Sequence, residues 1–259
     1  YKIKVKISIN GNVSISQKEL KYKDKKEITN KGKLIINKDI SSKVSLAAII
    51  SKGVASNYFN GKIESPQIKI DNKIIGDWDL SSNTSSTTVD SIVGPSLRLK
   101  NFPTRAVTGS KWDSSEMNWQ HKPKHYAAIH FHEDDIYDFE WDTDFKYTVP
   151  KNMPSGIYIM KIKCEEHEDS MPFFVAPTIN KLKAKICVLI STFTYSIYGN
   201  HARVDYDSSW LNRIKEWKAY PHNPANHKEY GLSTYNYHSD GAGICHASHR
   251  RPLFNIRPG

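Results

Sequence analysis

Cysteine is scarce in this chain of 259 residues: Cys164, Cys187 and Cys245 stand too far apart to form any Cys-x-x-Cys pair. That excludes a disulfide framework and a paired-knuckle structural zinc site, and it fits a reducing, cytoplasmic compartment. Long apolar runs are missing as well. The longest, around Ile186 to Ile190, is strand-sized, far short of the roughly 18 residues of a membrane-spanning helix, so a bilayer span is not expected. The chain opens at Tyr1 without a charged-then-apolar leader, so no targeting segment is legible. Arginine is absent from residues 1–52, which hold 13 lysines against Glu19, Asp24, Glu27 and Asp39. This excess of nine makes up nearly all of the formal charge of +10. The lysines alternate with apolar residues, as in Lys2-Ile3-Lys4-Val5-Lys6-Ile7, and a period of two sets them on the wet face of a strand. A phosphate-tracking surface mixes in arginine and stacking aromatics, of which this segment offers only Tyr1 and Tyr22. Nucleic acid is not the expected partner.

Hydrophobic residues at 38%, with charged residues at 25%, are enough for packed cores, and the length exceeds one ordinary domain. Residues 1–98 carry short alternating runs with Asn-Gly and Lys-Gly punctuation: Ile7 to Asn10, Leu34 to Ile36, Leu46 to Ile50, and Gln67 to Ile70. Such spacing predicts antiparallel strands in a sandwich or jelly roll, with the polar tract Ser81 to Thr88 as a loop. Residues 99–177 read as a small β linker module, with strands at Asp144 to Pro150, Gly156 to Lys163 and Met171 to Val175. From residue 178 the character changes. Lys185-Ile186-Cys187-Val188-Leu189-Ile190 is the unbroken apolar run of a strand buried on both faces of a parallel sheet, which predicts an α/β domain over 178–259 that stops short of full length. Cys187, inside that strand, is expected to be an inert core thiol.

Open α/β sheets bind ligands beyond the carboxyl ends of their strands, so the segment after Ile190 is where chemistry is sought. Two tyrosine-rich loops bracket a possible cleft there, one reading Thr192 to Asn200 and the other Tyr230 to Gly243. A phenol ionises near neutrality only beside a strong positive charge, which makes trivalent iron the natural partner of paired tyrosines; packed aromatics with capped hydroxyls are the plainer reading. Cys245, His246 and His249, with His238 near, make a backup zinc set. His130, Phe131, His132, Glu133, Asp134 and Asp135 form the densest acid and imidazole cluster. On a strand His130, His132 and Asp134 would share one face that a metal could use, with an interdomain hydrogen-bonded network as the alternative, which the family resemblance given below favours. Arg105 is expected to pair with these acids, and Arg250, Arg251 and Arg257 to brace acidic neighbours near the cleft.

Four stretches, taken in order, resemble the large (beta) subunit of the N,N-dimethylformamidase family. They are Asn57-Tyr58-Phe59-Asn60-Gly61-Lys62-Ile63 with Gly76-Asp77-Trp78-Asp79-Leu80-Ser81; Asn101-Phe102-Pro103-Thr104-Arg105-Ala106-Val107-Thr108-Gly109; Ala127 to Asp135 with Met153 to Tyr158; and Leu232 to Gly243 followed by Arg250-Arg251-Pro252 and Arg257-Pro258-Gly259. The resemblance implies a laminin-G-like (concanavalin-like) jelly roll over 1–98, a β linker over 99–177, and a glutamine-amidotransferase-like α/β domain carrying mononuclear Fe(III). In that family two tyrosines and a glutamate bind the iron. Carried over by motif, the ligands are Tyr198 and Tyr235, with Tyr195 and Tyr237 as their competitors. The glutamate, in a later His-Pro-Glu element, falls beyond Gly259, so the fragment alone is expected to be inactive. The implied chemistry is hydrolysis of a small amide or formamide to a carboxylate and an amine; His238 and Asp240, close after Tyr235, read as proton carrier and its orienter, or else as a turn-forming Ser239-Asp240-Gly241 beside a surface histidine. A small accessory subunit and a homo-oligomer are the implied assembly. The rival class is a carbohydrate- or protein-binding jelly roll without catalysis, which would account for residues 1–98 only.

Overall fold

The computed structural model describes residues 1–21, 26–35, 44–180, 184–203, 207–218 and 223–253. Ile36 and Arg257, both named above, lie outside the described residues. Within them the chain is β-rich, built of small antiparallel sheets with few helices.

The alternating N-terminal segment forms β1 (Lys2–Ile7), β2 (Asn12–Lys18) and β3 (Ile28–Lys33) in one antiparallel sheet, with Val5 opposite Ile15 and Ile7 opposite Val13. The lysines of these strands are exposed, as expected: Lys2, Lys4 and Lys6 on β1 and Lys31 and Lys33 on β3. The apolar side is also open: Ile3, Val5 and Ile7 are all more than half exposed. A second hairpin joins β4 (Ile49–Ser51) to β5 (Val54–Ser56).

The core lies further along. β6 (Gly61–Glu64), β7 (Gln67–Ile70), β8 (Lys73–Trp78), β9 (Thr88–Val89), β10 (Ser91–Val93), β11 (Leu97–Arg98), β12 (Thr104–Val107) and β13 (Ala128–Phe131) make three sheets, ordered β10-β8-β7, β11-β9 and β12-β13-β6. Trp78, Leu80, Val89 and Ile129 are buried together, with Ile63, Leu97, Leu99 and Phe131 against them. Trp78 satisfies its indole by donating Nε1–H to the Pro95 carbonyl at 2.8 Å. Because β6 pairs with β13, backbone hydrogen bonds run across residue 98. β13 is the central strand of its sheet, and its alternation decides the site: Ile129 and Phe131 face the core, which turns Ala128 and His130 to the opposite face.

The polar tract is a loop over residues 81–87, with Thr88 opening β9, and its organiser is Arg105. Thr104 pairs with His130, so alternation sends Arg105 to the face away from the acids it was expected to meet. Its guanidinium donates instead to the carbonyls of Asn83 (2.7 Å), Ser82 (2.8 Å) and Ser86 (3.0 Å). Arg105→Met, which keeps the stem and removes the donors, is expected to lower stability by about 2 kcal/mol. Amide hydrogen exchange should then speed up selectively in residues 82–88; uniform exchange along the chain would contradict this role.

β14 (Gly156–Cys164) and β15 (His167–Val175) form a long hairpin whose register runs from Gly156 opposite Val175 to Cys164 opposite His167. Asp144 to Pro150, expected as a strand, is unpaired. Tyr147 rests its ring on Phe173 at 5.9 Å, so the segment meets the hairpin through side chains and stays outside the hydrogen-bond ladder. Lys185 to Ile190 also differs from expectation: it forms no strand, Val188 and Leu189 are 74% and 92% exposed, and Cys187 is an exposed thiol. A strand buried on both faces needs neighbours on both edges and both faces, and the described residues supply none. The helices are α1 (Thr192–Tyr198) and α2 (Ser208–Glu216), the latter capped by Asp207, whose carboxylate accepts from the amides of Ser209 and Trp210. No helix among the described residues is long and apolar enough to cross a membrane.

Candidate active site

Two constellations form where the segment 192–251 meets the rest of the chain. The first is built on the end of α1. Gly199 follows Tyr198 and donates its N–H to the Tyr195 carbonyl at 2.8 Å; a Cβ there would collide with Leu253 and that same carbonyl. Asn200, fully buried, donates Nδ2–H to the carbonyls of Gly231 (3.0 Å) and Pro252 (2.7 Å). Ser233, also fully buried, donates its hydroxyl to the Ile197 carbonyl at 2.8 Å. Asn236 completes the clamp by accepting from Ala202 N–H and donating back to its carbonyl. These short polar contacts lay the loop 231–236 on the helix end, and the outcome is a stack of Tyr198 on Tyr235: ring centroids 4.3 Å apart, planes 22° from parallel. The neighbouring Tyr235 phenol holds the Tyr198 phenol above its usual pKa. Both rings are about half exposed. His201 lies against Tyr235 at 6.0 Å. The competitors sit elsewhere: Tyr195 meets Phe174, and Tyr237 is 68% exposed beside its bridge to Gly243.

Arg251 underlies the same assembly. Its buried guanidinium donates to the carbonyls of Ser196 (2.9 Å), Gly199 (3.0 Å) and Gly231. Desolvation lowers its pKa to about 10, so it remains charged at neutral pH. Arg250 faces outward and pairs with Asp138 at 2.7 Å. The expected bracing of acids therefore holds for Arg250, while Arg251 braces carbonyls.

The second constellation joins β13 to the turn 238–242. His238 donates its N–H to the Ala242 carbonyl, Gly241 takes a left-handed conformation (φ 85°), and Asp240 Oδ1 accepts from Ala242 N–H. The Ser-Asp-Gly turn thus forms, yet His238 is buried, not a surface residue. It inserts beside the acid and imidazole cluster, which is drawn into one network. The His238 ring stacks flat on His132, centroids 3.7 Å apart and planes 5° from parallel. His238 Nδ1 lies 2.7 Å from Asp134 Oδ1, so Asp134 holds the place expected of Asp240. Asp240 Oδ2 faces His130 Nε2 at 3.0 Å and His132 Nε2 at 3.7 Å. Asp134 is not on the strand with His130, since β13 stops at Phe131. It arrives through a turn in which Asp135 Oδ2 accepts from the His132 amide, and Asp135 Oδ1 lies 3.3 Å from His132 Nδ1. Ser239 adds a bond to Glu133 at 2.9 Å.

Burial sets the charges. Desolvation, helped by the charges of His238 and His130, lowers His132 to a pKa of about 4, so this imidazole is neutral at pH 7. Desolvation raises Asp135 to about 7. For Asp134 burial pushes upward, but the hydrogen bond and charge of His238 outweigh it and its pKa falls. A narrow cleft of about 20 Å³, water-sized, opens between Phe102, Asp134, Asp135, His238, His246 and Arg251. Cys245 donates to the Gly243 carbonyl and is exposed, and His249 bonds Ser196 at 2.9 Å. Among the described residues, the groups of histidine, cysteine and carboxylate side chains that could hold a metal are built on His132 with His130 and Asp240, or with Asp135 and His238. The backup set of Cys245, His246 and His249 is not among them.

Comparison with known proteins places the chain. A family model described as N,N-dimethylformamidase beta subunit-like, C-terminal, matches residues 104–259. The N,N-dimethylformamidase beta subunit of Paracoccus aminophilus is 35% identical over 231 residues, covering 77% of this chain and 30% of the relative. The protein of the same name from Alcaligenes sp is 34% identical over 232 residues, covering 78% and 30%. The chain thus spans about three tenths of the length of these curated relatives.

Proposed function

Because the chain belongs to the N,N-dimethylformamidase beta subunit-like family, we propose that it contributes Tyr198 and Tyr235 to a mononuclear ferric site in an amidohydrolase that cleaves the C–N bond of a small amide or formamide. The contact between these two tyrosines carries the reading. They are 37 positions apart in sequence, yet their rings stack with centroids 4.3 Å apart while both stay open to solvent. That donor set fits a hard trivalent cation: two neighbouring phenols, reachable from solvent, whose protons such a cation would displace. A ferric ion held there supplies Lewis acidity toward an amide carbonyl and acidifies water.

The chain's own residues supply the rest. Asn200, Ser233 and Arg251 fix the tyrosine loop to α1. His238 is the proton carrier, with its Nδ1–H held by Asp134, which leaves Nε2 as the nitrogen able to take and return a proton. Asp240 acts one step further out, on His130 and His132. The finer architecture belongs to the same proposal: a laminin-G-like jelly roll over 1–98, a β linker over 99–177 that shares a sheet with it, and the start of an amidotransferase-like α/β domain holding α1 and α2. The proposed setting is cytoplasmic, in keeping with three free thiols, and the proposed partners are a small accessory subunit and further copies of the chain.

Metal analysis of the full-length protein, purified without added metal, tests this. The expected result is about one iron per chain, with a phenolate-to-iron charge-transfer band that Tyr198→Phe or Tyr235→Phe shifts or removes. N,N-dimethylformamide hydrolysis should fall with the band. A colourless, iron-free protein that stays so after ferric reconstitution would overturn the reading.

A further inference from the structure

We propose that His130, His132 and Asp240 form a second metal site, for a borderline divalent transition ion of the Zn²⁺ type, distinct from the tyrosine pair. His132 is 6% exposed, and its Nε2 is buried without a hydrogen-bond partner, an arrangement that loses free energy unless something fills it. That nitrogen faces Asp240 Oδ2 at 3.7 Å, and His130 Nε2 faces the same oxygen at 3.0 Å. All three ligand atoms lie within 4.8 Å of one another. Tetrahedral zinc with bonds near 2.0–2.1 Å spaces its ligand atoms roughly 3.3 Å apart, a value that falls between the two measured separations.

The surroundings complete a site of this kind. Asp135 Oδ1, 3.3 Å from His132 Nδ1, is placed to accept that ring's N–H when ionised, and so to favour the tautomer that leaves Nε2 with its lone pair, the carboxylate–histidine pairing that supports metal-bound imidazoles. Asp240 is oriented by Ala242 N–H on Oδ1, so Oδ2 is the oxygen presented to both rings. The rings of His130 and His132 are tilted by 44°, which lets their in-plane lone pairs converge. His132 and His238 are stacked nearly parallel, so their lone pairs run side by side and cannot meet on one ion; this selects Asp240's group over the one that includes His238. Two imidazoles and one carboxylate leave a fourth position open, and the Asp240 side chain is 24% exposed, so that position borders solvent. Binding displaces the proton that His130 Nε2 donates to Asp240. The site joins β13 to the turn 238–242 and would pin the face against which His238 stacks.

Chelator-stripped chain is dialysed against Zn²⁺, its metal content measured, and its affinity read by competition with a chromophoric chelator; Co²⁺ serves as the spectroscopic probe. One Zn²⁺ per folded chain and tetrahedral Co²⁺ bands are expected. His130→Asn and Asp240→Asn, at partly exposed positions that spare the core, should each weaken Zn²⁺ by more than about 10-fold, and Asp135→Asn by roughly 10- to 100-fold. The Tyr198→Phe/Tyr235→Phe double variant should retain Zn²⁺ affinity while losing any ferric band, so failure of either site is read separately. A folded chain that retains no Zn²⁺, unchanged affinity in both His130→Asn and Asp240→Asn, or loss of Zn²⁺ in the tyrosine double variant overturns the proposal.

Discussion

Arg251→Met should destabilise the chain by about 3 to 5 kcal/mol, far more than any change at its neighbour Arg250. The wild-type guanidinium is buried and donates to three carbonyls, of Ser196, Gly199 and Gly231. Two of these belong to the C-terminal end of α1, where carbonyls lack helical partners and the helix dipole favours a cation. Methionine fills a similar volume and supplies no donor, so the carbonyls of Ser196 and Gly199 lose their buried donor and that of Gly231 keeps only Asn200. Arg251→Lys should recover only part of the loss, because a single ammonium cannot spread over three acceptors in the way a fork does. Arg250→Ala removes an exposed pair with Asp138 and should leave the urea midpoint close to wild type. The second readout is spectroscopic. With one of the ties between α1 and Gly231 removed and the loop left to Asn200, Ser233 and Asn236, the Tyr198–Tyr235 contact loosens, and the ferric band should weaken although no tyrosine has been changed. An Arg251→Met protein with the wild-type urea midpoint would contradict the assignment.

Sequence pattern reports a strand's own faces more reliably than its neighbours. Gln67 to Ile70 and Gly156 to Lys163 become strands because alternation and a turn signal suffice to make a hairpin, a structure closed by residues close in sequence. Lys185 to Ile190 has the composition of a buried strand, but burial needs partners that pattern cannot supply, and in the structure the run lies open. The N-terminal sheet teaches the same lesson in reverse. Alternation places its lysines correctly, yet it says nothing of whether another layer covers Ile3, Val5 and Ile7.

The site was legible to a similar degree. Motif likeness nominates Tyr198 and Tyr235, and geometry joins them, but the residues that do the joining carry no signal of their own. Asn200 and Ser233 are small, polar and fully buried, which composition and periodicity would assign to the surface. A signal was available in the asparagine after Tyr198-Gly199, since a side-chain amide at a helix end commonly bonds stray carbonyls. The pairing of His238 with Asp134 spans 104 positions, and only the docking of the turn 238–242 onto the end of β13 reveals it. Density of histidine and carboxylate over 130–135 pointed to a network; which carboxylate faces which ring followed from where β13 stops.

Asp134→Asn should lower kcat for amide hydrolysis by roughly 10²- to 10⁴-fold in the assembled enzyme, with little change in KM. Asp134 Oδ1 accepts the proton on His238 Nδ1, which reserves the lone pair for Nε2, while the flat stack on His132 fixes the plane of the ring. An asparagine can turn its NH₂ toward Nδ1 and so favour the opposite tautomer, with the proton on Nε2 where the substrate's proton must go. The fold is retained, because the amide is isosteric and Asp134 is only partly buried. Nitrogen chemical shifts of the His238 imidazole separate the positioning role from a structural one: they should report Nδ1–H in the wild type and Nε2–H in the variant. His238→Asn should lose at least as much rate, and adding Asp134→Asn to it should cost almost nothing more, since two residues acting through one imidazole are not additive. Independent, multiplying losses in the double variant would show that Asp134 acts elsewhere and remove His238 from the proton path.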